Sequence, residues 1–399
     1  MTRPRIAQSL RTFLETEAAG GVVLLAAAIA AILWANLSEA SYSDVWAAEL
    51  RLGAGSLTKT LDLRHWVNDG LMTIFFLVVG MEIKRELVVG ELRDRRTSFV
   101  PVVAAAGGMI GPALVYLALN PQGPSSRGWG IPMATDIAFA VGVLAVAGRR
   151  APPGARIFLL TLAIVDDIGA IAVVAIAYTE ELSLDGIAIA LAALGALAVL
   201  RRVGVRKVWV YLLPGAAVWW GVSASGIHPT IAGAMLGLMT PARPVRGRPV
   251  LDELQARLHP LSSFAIVPLF ALANAGIAVD LRSLEAAVRS PIFGGVAAGL
   301  AIGKVFGIAL PTVAVVRLTR ARLPSGMGLR DVAGVGILGG IGFTVAIFIA
   351  ELALGEPADV DAAKIGVVLA SVACALSGAA VISFGRKRRA QSGSKSTRG

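Results

Sequence analysis

The chain has 399 residues and a formal net charge of +11, yet 56% of its residues are hydrophobic and only 16% charged, with a mean hydropathy of +0.74. A water-soluble body of that composition lacks the polar surface to cover itself, so lipid is the solvent for most of the chain and the positive charge needs no nucleic-acid partner. The single cysteine, Cys374, lies in an apolar stretch and supports neither a disulfide framework nor a cysteine metal site.

Twelve mainly apolar windows follow in chain order: Gly20–Leu37, Trp66–Met81, Phe99–Leu119, Trp129–Ala147, Ile157–Tyr178, Ile187–Leu200, Val208–Val222, Pro229–Met239, Phe264–Ala278, Ile292–Val316, Val332–Ala353 and Ile365–Phe384. Several fall short of the roughly 20 residues that a spanning helix needs. Stretches such as Gly21–Ala30 are apolar at every position, which excludes the strict alternation of a membrane β-barrel. A secretory signal is disfavoured in the first window because Glu15 and Glu17 precede it. The expected fold is an all-α polytopic membrane protein of twelve transmembrane helices, forming one integral membrane domain over residues 1–399.

Assigning alternate loops to opposite sides puts 29 of the 37 basic residues on one side and six on the other; the remaining two, Lys304 and Lys364, lie inside windows. The positive-inside rule then puts both termini in the cytoplasm, with residues 1–12 as a cytoplasmic N-terminus. The basic, Ser/Gly-rich tail 386–399 reads as a disordered anchor on anionic lipid. One outer loop, Ala47–Leu63, alternates polar and apolar residues around Gly53-Ala54-Gly55-Ser56, as a short hairpin does. It suggests either a pairing surface between two copies or a solvated loop.

Four charges lie deep in apolar windows: Asp136, the adjacent Asp166 and Asp167, and Lys304. Each costs roughly 2.5–3.5 kcal/mol at a helix centre, so the set left unpaired costs on the order of 10 kcal/mol. A purely structural ion pair between Lys304 and one carboxylate leaves acid in excess, and a buried carboxylate without a countercharge takes up a proton or binds a cation. Exchange of H+ for a small hard cation is the chemistry these residues suit. Asp166 and Asp167 diverge by about 100° on a helix, so they have different roles: one facing Lys304, the other a water-filled passage.

Two windows are also interrupted, by Pro132 beside Asp136 and by five glycines within Gly334–Gly342. Half-helix ends at membrane depth carry opposed partial charges, which Asp136 near N-termini and Lys304 near C-termini would compensate. Close packing through small residues is the alternative reading of the glycines. The interrupted windows are each the middle member of a three-span unit, the third to fifth and tenth to twelfth windows. Units of three spans starting on opposite sides are related by inversion.

Taken together, Gly80–Leu87, Ala134–Gly142, Ile164–Ala170, Ser225–Gly233, Pro268–Gly276, Ile302–Lys304 and Gly339–Thr344 resemble the NhaA family of sodium/proton antiporters over nearly the whole chain. That family is itself a standard example of inverted-repeat transporters with broken helices. The resemblance implies an NhaA-like fold with two crossing broken helices, and electrogenic exchange of Na+ or Li+ for H+ by alternating access, active at alkaline pH in a bacterial inner membrane. It calls for no cofactor. It implies Asp167 as the principal Na+-binding carboxylate, Asp166 assisting and paired with Lys304, and Thr135 and Asp136 at the crossing. Glu82, Arg85 and Glu86 match the family's cluster for pH response; ordinary positive-inside anchoring is their alternative reading. His228 falls in a matching motif, as a proton sensor or a helix-end hydrogen-bonding residue. Gln255 and Ala256 stand where the family carries an acid and a histidine, which leaves the pH threshold open.

Two further readings compete. A membrane aspartyl hydrolase needs carboxylates converging from separate elements, and neighbours on one helix point apart. An ion-coupled carrier of an organic anion keeps the fold and changes the cargo.

Overall fold

The computed structural model describes residues 3–53, 58–147, 152–179, 181–205, 207–245, 247–278, 281–319 and 321–396; the side chains of residues 3–18, 91, 95, 96, 147, 208, 281–283 and 384–396 lie outside that description. The chain divides into two compact units. The first comprises Met1–Ala26, Asp94–Ala170 and Ile277–Gly399, the second Ala27–Arg93 and Ile171–Gly276.

All twelve apolar windows fall on helix. Among the described residues, seven helices are long and apolar enough to cross a bilayer: Ala19–Leu37, Thr97–Leu119, Pro153–Ala177, Leu184–Val203, Val250–Asn274, Pro291–Leu318 and Pro357–Ser383. Two further candidates are bent pairs, Pro124–Met133 with Ile137–Val146 at 41°, and Leu329–Gly339 with Phe343–Ala353 at 47°. These are the two windows that the sequence interrupts. Of the other three windows, the second falls on Leu63–His65, Trp66–Leu71 and Met72–Val88, which follow one another without a gap, and the seventh and eighth on the shorter helices Leu212–Ala224 and Thr230–Met239. A ten-residue helix rises about 15 Å against a hydrocarbon core of about 30 Å, so length and composition support seven to nine crossings where the sequence suggested twelve. The helix of the ninth window begins at Val250, well upstream of Phe264, because Leu251 and its neighbours bury against Val78 and Met81.

In the first unit, Thr97–Leu119 and Pro291–Leu318 pack backbone to backbone. A Cβ on Gly107 would lie 2.1 Å from the Gly307 carbonyl oxygen, and one on Gly111 2.7 Å from that of Gly303. Small residues four apart on both helices permit this approach. A π-helical turn, Gly299–Gly303, immediately precedes Lys304 and sets its direction. Around this seam, Ala104, Ala140, Val141, Phe158, Leu162, Ile308, Val335 and Leu338 form a continuous apolar core. The backbone of the last helix runs to Ser396, through the stretch from Arg386 that the sequence suggested as disordered; residues 397–399 and the side chains beyond Ser383 lie outside the described residues, as do Met1, Thr2 and the side chains of the N-terminal segment.

In the second unit, Met72–Val88 packs on Thr230–Met239 in the same way, with Gly233 facing the Thr73 carbonyl and Gly237 that of Leu77. The Ala47–Leu63 loop forms the expected hairpin: Glu49–Leu52 pairs antiparallel with Lys59–Asp62 in the register Glu49 to Asp62 and Leu52 to Lys59. Residues 54–57 at its tip are outside the described set.

Candidate ion site

Both broken spans expose helix ends inside the first unit, and four side chains answer them. Asp136 ends the Ala134–Asp136 linker directly before Ile137–Ala147. Its Oδ1 accepts from the Phe139 N–H at 3.1 Å, an N-cap bond. Its Oδ2 accepts from the Thr344 N–H at 3.0 Å and the Thr344 hydroxyl at 2.5 Å, in the first turn of Phe343–Ala353. One carboxylate therefore caps two helix N-termini, where the macrodipole favours negative charge. The Asp136 N–H donates to the Ile341 carbonyl at 2.6 Å, joining the two linkers.

The opposite ends meet a cation and a hydroxyl. Lys304, fully buried, donates from Nζ to the Met133 carbonyl at the C-terminus of Pro124–Met133. The same Nζ lies 2.5 Å from Asp166 Oδ2. Thr135 Oγ1 lies 2.7 Å from Asp166 Oδ2 and 2.9 Å from the Gly339 carbonyl, at the C-terminus of Leu329–Gly339. Its single proton serves one acceptor at a time. Asp166 Oδ1 is buried without a hydrogen-bond partner, an acceptor position suited to a cation. Asp167 is 7% exposed and follows on the same helix, turned about 100° from Asp166. The linker glycines allow the crossing: a Cβ on Gly340 would stand 2.5 Å from the Leu300 carbonyl.

Thr135, Asp136, Asp166 and Lys304 are thus brought together, with Asp166 meeting the lysine. Thr344 and the carbonyls of Met133 and Gly339 complete the cluster. Thr344 lay in a recognised motif, but no charge or break marked it as a partner of Asp136, 208 residues away.

Glu82, Arg85, Glu86 and His228 all belong to the second unit, in two places. Glu82 Oε1 lies 3.7 Å from His259 Nε2 and accepts from Gln255 Nε2 at 3.4 Å; Arg85 Nε lies 3.9 Å from Asp252 Oδ1. Gln255, the departure noted in the sequence, therefore touches the cluster directly. His228 sits in the turn between Leu212–Ala224 and Thr230–Met239. Its Nε2 lies 3.5 Å from Asp69 Oδ1, and its Nδ1 lies 2.8 Å from the Thr230 hydroxyl and accepts from the Thr230 N–H at 3.5 Å. That is helix-end geometry. Asp69 precedes Glu82 by thirteen residues of helix, about 20 Å, so His228 and the Glu82 cluster are separate. Burial, followed by the nearby Lys59 ammonium, pushes the His228 imidazole down to about 4.

Comparison with known proteins agrees with this architecture. A family model described as Na+/H+ antiporter 1 matches residues 11–382. The Na(+)/H(+) antiporter NhaA of Acidovorax sp. (strain JS42) is 48% identical, covering 92% of this chain and 89% of its own length. The Na(+)/H(+) antiporter NhaA 1 of Klebsiella pneumoniae is 46% identical over 92% of this chain and 94% of its own. The NhaA antiporter of Shigella dysenteriae serotype 1 is 45% identical over 92% and 96%. By its matched length, its residues and its paired broken helices, this chain belongs to the NhaA family of Na+/H+ antiporters.

Proposed function

We propose that the chain exchanges Na+ for H+ across the bacterial inner membrane by offering both ions one site, with Asp167 as the principal carboxylate and Asp166 assisting. The arrangement of Asp166 carries this reading. One of its oxygens is held by Lys304 and Thr135, the other has no hydrogen-bond partner, and a second carboxylate follows on the same helix. Asp136, Asp166 and Asp167 are all buried, and the Asp166 oxygen without a hydrogen-bond partner offers a place for a proton or a cation. Occupancy by one ion displaces the other, and that competition is exchange. The names and high coverage of the relatives support the same activity. Asp136 and Thr344 hold the two broken spans in register while the cargo changes.

The proposal extends to Li+ as an alternative cargo, to both termini in the cytoplasm, to pH response through Glu82, Arg85 and Glu86 with Gln255 and His259, and to a homodimer through the Ala47–Leu63 hairpin. The exposed outer strand, Glu49–Leu52, supports the last point, because its free edge is available for pairing. The test is recovery of a ΔpH-quenched dye in acidified everted vesicles on adding NaCl, LiCl or KCl. Wild type should show Na+- and Li+-dependent proton efflux, and Asp167→Asn should lose it while eluting and melting as a folded protein. Wild-type exchange in that variant would refute the site. No response to any cation between about pH 6 and 9 would favour an organic-anion carrier.

A further inference from the structure

The last helix, Pro357–Ser383, carries two polar anchors that the ion site leaves unused. Ser371 Oγ accepts from the Gly342 N–H at 3.2 Å, in a buried setting. Lys364, the second lysine inside an apolar window, lies with Nζ 2.6 Å from Glu351 Oε1, and the two side chains are 5% and 19% exposed. The anchors are seven residues apart and so share one face of their helix. Cys374 and Gly378 continue that face: a Cβ on Gly340 would lie 2.7 Å from Cys374 Sγ, and one on Gly378 2.6 Å from Leu338 Cδ2. One stripe of the last helix therefore follows the second broken span.

The polar contacts bracket one half-helix. Gly342 is the N-cap of Phe343–Ala353, and Glu351 lies in its last turn. Near its start is Thr344, which donates both its N–H and its hydroxyl to Asp136 Oδ2. The glycines of the break relax the backbone constraint on the half-helix, whose residues Ala346–Ala350 are buried. The Ser371 hydrogen bond at its N-cap and the Lys364 ion pair in its last turn constrain its rotation and depth. A glutamate in the last turn also opposes the helix dipole, a cost that Lys364 removes.

We propose that Ser371 and the Glu351–Lys364 pair are positioning residues for the ion site: they set the half-helix Phe343–Ala353 and, through Thr344, the Asp136 carboxylate at the crossing. The inference rests on the ion-site reading above. Its test measures the Na+ dependence of proton efflux in everted vesicles and the melting temperature in detergent. The variants are Ser371→Ala, Ser371→Thr, Glu351→Gln, Lys364→Gln and the reversed pair Glu351→Lys with Lys364→Glu, with Asp167→Asn as control.

Ser371→Ala and each single charge variant should raise the KM for Na+ about 3- to 10-fold, the scale of one buried hydrogen bond, with Vmax per folded transporter held within about twofold. Ser371→Thr and the reversed pair should bring KM back. An unchanged KM, with or without a lower melting temperature, would make the contacts purely structural and overturn the inference; a reversed pair as impaired as the singles would do the same. If the charge variants fail to fold, the Ser371 pair of variants decides alone. Wild-type transport in Asp167→Asn would sink the ion-site reading and this inference with it, whereas loss there beside an unmoved KM in Ser371→Ala sinks the inference only.

Discussion

Replacing Lys304 by alanine leaves Asp166 as a carboxylate inside the first unit. The variant loses the 2.5 Å ion pair and the donor to the Met133 carbonyl, and Asp166 already has one oxygen without a partner. Stranding one member of a buried pair costs about 3–5 kcal/mol. Asp136→Asn is milder: it loses charge at two helix N-termini, about 0.3–1 kcal/mol each, and one acceptor, since the amide nitrogen cannot accept from the donor it faces, about 1 kcal/mol more. At about 2–4 °C per kcal/mol for a body of 150–250 residues, Lys304→Ala should lower the melting temperature further than Asp136→Asn. Fluorescence-detected melting of detergent-purified protein measures both. The double variant Lys304→Ala with Asp166→Asn should regain a large part of the loss, since the stranded charge is gone. Equal shifts for the two single variants, or a double variant whose loss is the sum of its singles, would refute the pairing.

Gly307→Val should separate Thr97–Leu119 from Pro291–Leu318, because its Cβ would stand 2.3 Å from the Gly107 carbonyl; exchange activity and melting temperature should both fall. Gly195→Ala is the matched control, with open space at the position and a helical gain of about 0.5–1 kcal/mol expected in the same melts. His228 has a folded pKa, about 4, below its ordinary 6.5, so the unfolded chain binds its proton first as pH falls. The neutral form's contribution to stability is therefore complete above pH 6.5 and lost on going down toward pH 4, by on the order of 3 kcal/mol. His228→Gln should flatten that part of the stability profile and leave the pH dependence of exchange between pH 6 and 9 unmoved; a shifted exchange profile in the everted-vesicle assay would contradict it.

The amino-acid sequence alone settled the solvent of this protein, the helical character of its spans and the residues whose burial needs a function. Each of those follows from a cost carried by single residues or short windows: apolar surface in water, or a charge in lipid, is expensive whatever its partner. The interruptions at Pro132 and Gly334–Gly342 were visible for the same reason, since proline and glycine weaken a helix locally. Most partners were not visible. The residues alone left open which of Asp166 and Asp167 meets Lys304, a choice that only the family resemblance made. That Asp136 caps the helix of Thr344, and that Gln255 and His259 stand beside Glu82, depends on the rotation and crossing of helices far apart in the chain. Close glycine contacts between backbones fix those rotations, and no local pattern encodes which two glycine faces will meet. The crossing count divided along the same line: apolar windows fall on helices throughout, but whether a ten-residue helix spans or only enters the bilayer is decided by what packs around it.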